Sequence, residues 1–253
     1  MAQPAVDGLR VGDIGGHPLK DGGWFRSGLV FRISGGLVGD AEIARLDAIG
    51  LRVLVDLRGG SEDRSTLVDW AASRGVHYHH EPISLGDAAD FAAVLGDVVV
   101  TEADGWAYLG MMYRRLLDEF APSLVAAVTA VAEAQPAAIG CAAGKDRTGL
   151  LTALLQELLG VDRATILAGY VSQAPDPARL LEAVGTWWDW EEGDLLKPGL
   201  GGILSAVEEV MAGALEYLDE RHGGAREFFE AAGLPAETLD RLRARLVTDE
   251  PQG

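Results

Sequence analysis

Cysteine is the scarcest residue of this chain: a single one, Cys141, occurs among 253 residues. A lone cysteine cannot form a disulfide within the chain, so the fold does not depend on a disulfide framework. The N-terminal segment lacks the basic start and apolar core of a secretory signal peptide. No apolar run reaches the roughly 18 residues that a membrane-spanning helix requires. We therefore expect a cytoplasmic protein without an integral membrane segment.

Lysine is also scarce, and positive charge is in short supply overall. The 21 basic residues include three lysines and face 39 acidic residues, which gives a formal net charge of −18. Nucleic-acid binding needs a basic surface that neutralises backbone phosphates, and no cluster of lysine or arginine provides one. We expect no nucleic-acid partner, and any anion-binding site must be positive only locally. The acidity itself is typical of a highly soluble or salt-adapted surface.

The remaining composition is that of a folded protein. Hydrophobic residues make up 48% of the chain and charged residues 24%, close to the usual proportions in globular proteins and far from those of disordered chains. The sequence contains no internal repeat, low-complexity tract or interdomain linker. These features predict a single domain that spans residues 1–253.

Three short stretches predict the strands of a sheet. Two of them, 52–58 and 136–141, are apolar and are followed by glycine or charged residues, a pattern typical of buried strands in an α/β protein. The three stretches lie at residues 52–58, 77–83 and 136–141.

Helical patterns separate these strands and dominate the rest of the chain. Apolar residues at spacings of three and four predict helices at 111–120 and 123–134. A further helix is predicted at 40–50, with Asp40 as its N-cap. From Thr148 onward nearly every segment is helical in pattern. We therefore predict an α/β fold with a helical C-terminal part.

The lone cysteine lies in IGCAAGKDRTG, residues 139–149, where a predicted strand passes through a glycine-containing loop into a helix that we expect to begin near Thr148. The first turn of a helix carries unpaired backbone N–H groups and the positive end of the helix dipole, and both favour an anion. The small side chains of Ala142, Ala143 and Gly144 allow the backbone to approach such a ligand closely. The segment therefore predicts a phosphate-binding loop.

Cys141 and Arg147 give this loop a chemistry beyond binding. A positive environment lowers the pKa of a cysteine thiol and directs a thiolate at the ligand, and the planar guanidinium of Arg147 can hold two phosphate oxygens. A structural cysteine beside a chance glycine turn would explain Cys141, but neither Arg147 nor the adjacent Thr148. The loop is not a nucleotide-binding P-loop, because Asp146 follows the lysine where that motif requires serine or threonine.

The segment CAAGKDRTG closely resembles the active-site loop of bacterial protein-tyrosine-phosphatase-like proteins of the dual- and triple-specificity type, whose pattern is His-Cys-x-x-Gly-Lys-Asp-Arg-Thr-Gly. The resemblance covers roughly residues 20–247. It implies a cysteine-phosphatase fold, in which helices flank a short, mainly parallel sheet and the phosphate loop lies at the carboxyl ends of the strands. Four further segments carry it in the same order: 24–30, 46–63, 108–117 and 217–246.

The resemblance also implies a mechanism that uses neither a metal nor a cofactor. The Cys141 thiolate attacks phosphorus and forms a phosphocysteine. Arg147 and the amides of residues 142–147 stabilise the transferring phosphoryl group. Thr148 donates a hydrogen bond to the sulfur and makes it a better leaving group in the second step.

Two aspartates compete for the role of the general acid that protonates the leaving oxygen. Asp146 inside the loop is the acid that we favour, and Asp56 at the end of a predicted strand is its rival. Asp56 has a structural alternative, because it could pair with Arg58 or Arg26. Lys145 either contacts a second phosphate or acidic group of the substrate, or is an ordinary solvated lysine.

Gly140 departs from the family pattern, because it occupies the position of the histidine that precedes the catalytic cysteine. That histidine helps to hold the loop and to tune the thiol. Its loss leaves a hypothesis of another class open, in which the loop binds a phosphorylated ligand without hydrolysing it.

We predict an enzyme that hydrolyses phosphotyrosine or a related phosphomonoester. Phosphoinositides are a further possibility, although an acidic surface disfavours docking on anionic lipid. A small phosphorylated metabolite or nucleotide-like monoester is the alternative substrate, because one of the clustered tryptophans 187, 188 and 190 could stack on a flat ligand.

Histidines 77, 79 and 80 raise the question of a metal site. Neighbouring residues of a strand point to opposite faces, so 79 and 80 are separated, and no nearby pattern completes a set of ligands. We predict a strand with surface histidines and no metal site.

Overall fold

The computed structural model describes residues 11–252, with the exception of 61, 85–98, 177, 179 and 182–197. The clustered tryptophans at 187, 188 and 190 therefore lie outside the described residues. Among the helices that are described, none is both long enough and apolar enough to cross a membrane.

A five-stranded sheet lies at the centre of the fold. Its strands, in spatial order, are β1 (Val11–Asp13), β4 (Val30–Ser34), β7 (Ala137–Cys141), β5 (Val53–Asp56) and β6 (His77–His80). The last four are mutually parallel, and β1 pairs with β4 in the antiparallel sense. Every residue of β4, β5 and β7 is buried, as expected for parallel strands covered on both faces. The three predicted strands are confirmed, and so is the mainly parallel α/β sheet.

A second sheet consists of three very short antiparallel strands. They are β2 (His17–Pro18), β3 (Trp24–Phe25) and β8 (Val247–Thr248), with β3 in the middle. Strands of two residues are too short to show any alternation of polar and apolar residues. The sequence patterns therefore did not indicate this sheet.

Helices cover both faces of the central sheet. In chain order they are α1 (Asp40–Ile49), α2 (Ser65–Arg74), α3 (Glu102–Glu119), α4 (Ala121–Glu133), α5 (Asp146–Leu159), α6 (Arg163–Ser172), α7 (Pro198–Leu204), α8 (Glu208–His222), α9 (Ala225–Ala231) and α10 (Ala236–Leu246). A short 3-10 helix at Gly35–Leu37 follows β4 directly. The predicted helical C-terminal part is confirmed, whereas the single-domain organisation of 1–253 stays a prediction.

Several helix boundaries differ from the sequence prediction, most of all that of α3, which begins at Glu102 and not at residue 111. Helix α1 has Gly39, not Asp40, as its N-cap, and the Gly39 N–H donates to the Glu42 carboxylate at 3.0 Å. Asp40 is the first helical residue, where its charge still favours the positive end of the dipole. Helix α5 begins at Asp146, two residues before Thr148. The loop after Cys141 is correspondingly short.

Successive side chains of a strand point to opposite faces of the central sheet, and this alternation divides the hydrophobic core into two parts. Leu54 and Ala138 point to the face covered by α1 and α2. Their neighbours Val55 and Ile139 point to the opposite face, which most of the later helices cover. Cys141 shares the face of Ile139, because residues two apart on a strand lie on one side. The thiol is thereby placed on the side of the sheet that carries α5.

Glycines allow α3 to approach α7 unusually closely. A Cβ atom on Gly105 would lie 2.6 Å from the carbonyl oxygen of Gly199 and 2.8 Å from the backbone nitrogen of Ile203. A Cβ on Gly202 would lie 2.2 Å from the carbonyl oxygen of Glu102. These distances are shorter than van der Waals contact with rigid backbone, so the interface requires glycine at both positions.

Two glycines of α3 give a matched test of this interface. Gly105→Ala should lower the free energy of unfolding by about 1–3 kcal/mol, because the added methyl group overpacks a backbone contact. Gly110→Ala should instead raise it by about 0.5–1 kcal/mol, because that position has open space around it and alanine is the better helix former. Urea unfolding of both variants measures the difference. Equal effects in the two variants would contradict the close helix contact.

Candidate active site

The loop after Cys141 is held by the end of β4 and by Gly36, which lies two residues beyond it. Three successive loop carbonyls accept hydrogen bonds from this stretch: Ala142 from the Gly36 N–H at 2.8 Å, Ala143 from the Ser34 hydroxyl at 2.7 Å, and Gly144 from the Arg32 guanidinium at 2.5 Å. In a trans peptide the next N–H points opposite to the carbonyl. The N–H groups of residues 143–145 therefore point away from β4, and none of them donates to a protein acceptor in the described part of the chain.

These unpaired N–H groups form an anion-binding nest at the N-terminus of α5. Gly144 is essential to its shape, because its φ is +67°. A Cβ at this residue would also lie 2.6 Å from both the Ile33 carbonyl oxygen and the Ser34 hydroxyl oxygen. The loop thus presents unpaired N–H groups at the start of a helix, an arrangement that favours anions, and phosphate binding by residues 142–147 stays a prediction.

Cys141 ends β7 beneath this nest. Its thiol is free, and the residue is 1% exposed. The Thr148 hydroxyl is fully buried on the first turn of α5 and has no hydrogen-bond partner within the described residues. A buried hydroxyl without a partner is uncommon. This leaves Thr148 with an unused donor, and its predicted bond to the sulfur stays a prediction.

Ile33 explains why glycine can stand where the family has histidine. Gly140 lies directly opposite Ile33 on the neighbouring strand. A Cβ on Gly140 would lie 2.6 Å from Cγ1 of Ile33, so the isoleucine side chain already occupies the space that a larger residue would need. An imidazole at this position requires Ile33 to move.

Arg147 is fixed by a bidentate ion pair with Glu62. Its Nη1 lies 2.6 Å from Oε2 of Glu62 and its Nη2 lies 2.8 Å from Oε1. Nη1 also donates to the carbonyls of Leu57 and Ile83, at 3.3 and 3.0 Å. Burial lowers the pKa of Arg147, but the bond to Glu62 and the charge of the nearby Cys141 raise it by more than burial lowers it. The pKa therefore lies above its ordinary value, and the guanidinium stays charged.

This arrangement leaves one edge of the Arg147 guanidinium available. The Nη1–Nη2 end is committed to Glu62, whereas the Nε–H and the second N–H of Nη2 have no protein partner in the described residues. These two N–H groups are parallel, and they match two oxygens of a phosphate. Glu62 therefore orients the arginine without consuming the edge that would bind the ligand.

Asp56 pairs with Arg58 and not with Arg26. Both carboxylate oxygens accept hydrogen bonds from the Arg58 side chain, at 2.6 to 3.1 Å, and Tyr78 donates to Oδ2 at 2.7 Å. Burial by itself raises the pKa of Asp56, but the bonds and charge of Arg58 outweigh it, and the pKa lies below its ordinary value. Asp56 is therefore held as a buried anion within a structural ion pair.

The Asp56–Arg58 pair supports the segment that carries Glu62. Arg58 Nη1 also donates to the carbonyls of Gly35 and Asp63, at 3.1 and 2.6 Å. The Gly59 N–H donates to Glu62 Oε2 at 2.6 Å. The end of β5 thus places the carboxylate that orients Arg147.

Lys145 and Asp146 form a pair at the base of the loop. Nζ of Lys145 lies 2.5 Å from Oδ1 of Asp146, and the lysine side chain is 1% exposed whereas the aspartate side chain is 22% exposed. Tyr113 donates to the same Oδ1 at 2.8 Å, and its hydroxyl lies 2.8 Å from that of Tyr170. Lys145 is therefore directed at its neighbour and not at solvent.

The histidines of β6 make contacts with protein groups. His80 lies between Arg64 and the carbonyl of Arg58, at 2.8 Å from each, and His79 lies 3.5 Å from Glu81. Within the described residues, histidine, cysteine, aspartate and glutamate form no cluster of three with a metal-binding arrangement.

Sequence reasoning missed several residues of the site. They are Arg32, Ser34, Glu62, Tyr113 and Tyr170. Glu62 could have been found, because it follows a strand whose carboxyl end lies at the same sheet edge as Cys141, and an arginine that binds phosphate needs an acidic partner to orient it. The others required the position of β4 or the packing of distant helices.

Several known phosphatases are similar to this chain in sequence. The chain is 34% identical over 129 residues to the triple specificity protein phosphatase PtpB of Mycobacterium tuberculosis, a match that covers 47% of each protein. It is 27% identical over 221 residues to a tyrosine-protein phosphatase of Nostoc commune, which covers 83% of this chain and 71% of the relative. The aligned part thus spans about half of the mycobacterial protein.

Among solved structures, the core catalytic domain of the PP-IP phosphatase SIW14 from S. cerevisiae aligns with 71% of this chain and 88% of that domain, at 15% identity and a TM-score of 0.35. A family model described as the tyrosine phosphatase family matches residues 9–248. That match includes the phosphate loop, the segment with Glu62 and the helices that pack against them, and the chain therefore belongs to the tyrosine phosphatase family.

Proposed function

We propose that this protein hydrolyses phosphate monoesters through a phosphocysteine intermediate, with no metal or cofactor in the reaction. The observation that carries the proposal is the presence of three features within one loop, residues 141–147. These are the outward N–H groups of residues 143–145, the free edge of Arg147 and the thiol of Cys141. Together they supply a nucleophile and preorganised positive charge for a phosphoryl group.

In the first step the Cys141 thiolate attacks phosphorus, and the bond from phosphorus to the ester oxygen breaks. The leaving oxygen takes a proton from Asp146. In the second step the Asp146 carboxylate accepts a proton from water, the water oxygen bonds to phosphorus, and the sulfur departs as thiolate. Thr148 supports that departure by donating a hydrogen bond from its unpaired hydroxyl to the sulfur.

Asp146 is better suited than Asp56 to act as the acid. Asp146 is partly exposed on the loop itself, whereas Asp56 is 1% exposed and is bonded to Arg58 and Tyr78. Both oxygens of Asp56 accept hydrogen bonds, so neither is free to carry a proton towards a leaving group, whereas Oδ2 of Asp146 accepts no hydrogen bond from the described residues. Asp56 then serves the site indirectly, through Arg58 and the segment with Glu62.

Phosphotyrosine is the substrate class that we propose. The relative from Nostoc commune is named a tyrosine-protein phosphatase, and the mycobacterial relative is named a triple specificity protein phosphatase. Lys145 is turned towards Asp146 and is buried, which disfavours the contact with a second phosphate that a phosphoinositide would require. A small phosphorylated metabolite is the alternative substrate, and a cytoplasmic location remains part of the proposal.

The nucleophile is tested with Cys141→Ser. This variant should lose measurable hydrolysis of an aryl phosphate, because a serine hydroxyl is not ionised near neutral pH, while inorganic phosphate still binds to the intact loop. Phosphate release and calorimetric titration with phosphate measure the two properties. Wild-type turnover in the variant would contradict the covalent mechanism. Phosphate binding without any hydrolysis by the wild-type protein would favour a binding module.

The orientation of Arg147 is tested with Glu62→Gln. The substitution keeps the shape of the side chain but removes a charge-assisted pair worth about 1.5–3 kcal/mol, so kcat/KM should fall about 10- to 100-fold. Glu119→Gln is the matched control, because it breaks an exposed bidentate pair with Arg115 on α3 and should leave kcat/KM unchanged. Steady-state kinetics on one aryl phosphate compare both variants. Unchanged activity in Glu62→Gln would remove Glu62 from the site.

Asp146 and Asp56 are distinguished by the property, catalytic rate or stability, that decreases when each is replaced. Asp146→Asn should lower kcat/KM on phenyl phosphate about 100-fold or more, because a poor leaving group needs the proton. Asp56→Asn should instead lower the free energy of unfolding by about 3–5 kcal/mol, because it leaves a buried arginine without its counter-ion. Kinetics and urea unfolding are measured on both. A loss of rate in folded Asp56→Asn that is confined to poor leaving groups would reverse the assignment.

A further inference from the structure

A buried chain of hydrogen bonds leads from the helical core to Asp146. Tyr113 on α3 donates to Oδ1 of Asp146, and Tyr170 on α6 lies at hydrogen-bond distance behind Tyr113. Tyr113 is 0% exposed and Tyr170 is 3% exposed. Neither hydroxyl is accessible to a substrate, so their contribution to the site must pass through the aspartate.

The direction of this chain follows from its protons. A tyrosine hydroxyl has one proton, and Tyr113 uses that proton in the hydrogen bond that it donates to the carboxylate. The bond between the two hydroxyl groups must therefore use the proton of Tyr170. Burial, reinforced by the charge of Asp146, raises the pKa of Tyr113 well above its ordinary value, so that its hydroxyl stays protonated. The order of donation is Tyr170 to Tyr113 to Asp146.

The two oxygens of Asp146 are thereby made unequal. Oδ1 accepts from Tyr113 and also from Lys145. No hydrogen bond reaches Oδ2 from the described residues, and the side chain is 22% exposed. When the Asp146 carboxyl group receives a proton, that proton is on Oδ2, because Oδ1 already accepts two hydrogen bonds. The chain therefore selects which oxygen is protonated and fixes the side-chain torsion that directs it.

Packing alone does not account for two buried hydroxyl groups at this point. Phenylalanine fills nearly the same volume without the desolvation cost of a hydroxyl. The two rings already make an edge-to-face contact, with centroids 6.4 Å apart, and that contact does not need the oxygens. What the hydroxyl groups add is the directed bond to the aspartate.

We propose that Tyr113, supported by Tyr170, is a positioning residue that holds Asp146 so that Oδ2 delivers the proton to the leaving oxygen. The inference rests on the proposed function, because it assumes that Asp146 is the general acid. It extends that function by assigning to α3 and α6 a part in proton transfer.

The test uses two aryl phosphates that differ in their need for a proton. Phenyl phosphate has a basic leaving oxygen, and 2,4-dinitrophenyl phosphate has one that departs without protonation. The parameter is kcat/KM, because it reports the first chemical step. Tyr113→Phe should lower kcat/KM about 5- to 10-fold on phenyl phosphate, the value of one directed hydrogen bond. On the dinitrophenyl ester the change should stay within about twofold, because the loss of that bond acts only through the acid.

Tyr217→Phe is the matched control. It removes a tyrosine hydroxyl that donates to Asp118 at 2.8 Å, the same length as the bond from Tyr113, on the exposed surface of α8. This control should leave kcat/KM unchanged on both esters. Tyr170→Phe provides a second variant of the chain, and it should show the pattern of Tyr113→Phe with a smaller loss on phenyl phosphate.

A double variant separates positioning from a structural effect. In an Asp146→Asn background, Tyr113→Phe should cause no further selective loss on phenyl phosphate, because the group that it positions is gone. Equal losses on both esters, or a loss that adds to that of Asp146→Asn, would overturn the inference and leave the proposed function intact. If Asp146→Asn itself shows no selective loss, the acid assignment fails and the inference fails with it. Activity in Cys141→Ser is the separate result that overturns the proposed function.

Discussion

The site depends on the way in which β4 binds the carbonyl groups of the loop that follows Cys141. Left to itself, a short loop between a strand and a helix could turn its peptide groups in either sense. Three hydrogen bonds, from Arg32, Ser34 and the Gly36 N–H, remove that freedom. Because each carbonyl is held towards β4, the N–H groups must face the opposite side. The positive character of the nest is thus a consequence of neighbouring parallel strands, and it needs few basic residues in a chain of net charge −18.

Two ion pairs fix the positions of side chains in the site, as the three hydrogen bonds fix the backbone of the loop. Asp56 and Arg58 are buried together at the end of β5, where their charges satisfy each other and the arginine also binds two carbonyls. The segment that they support brings Glu62 to Arg147. Buried pairs of this kind contribute little net stability. Their value here is geometric, because each holds the next charge at a defined angle.

How much of this site the sequence predicts depends on how far apart in the chain its interacting residues lie. The loop 141–148 carries its own signature, since small residues, cysteine and arginine are required by local chemistry. The central strands were predictable from their apolar runs. Strand β4 was missed because FRIS contains a buried arginine and serine, which break the apolar pattern, and these two side chains bind the loop. Polar residues that serve a functional site interrupt the apolar pattern of their strand, so the strand is not predicted from the sequence.

Tyr113 and Tyr170 illustrate a second limit. They are 57 residues apart, and their hydroxyl groups meet only because α3 and α6 pack on the same side of α5. Each alone follows the ordinary helical pattern of a core aromatic. Nothing local distinguishes a tyrosine whose hydroxyl is used from one whose ring is merely buried. Such a pair can be identified only when the tertiary arrangement is known.

The three-stranded sheet has a consequence for the biosynthesis of the protein. Its middle strand, β3, pairs with β8, and Arg26 next to β3 donates to the carbonyl of Val247, across a separation of 221 residues. Strand β4 begins only a few residues after β3. A contact of such range closes late, because the intervening chain must first be present and ordered. On the ribosome, the segment that leads into β4 therefore lacks its final support until residues 247–248 have emerged.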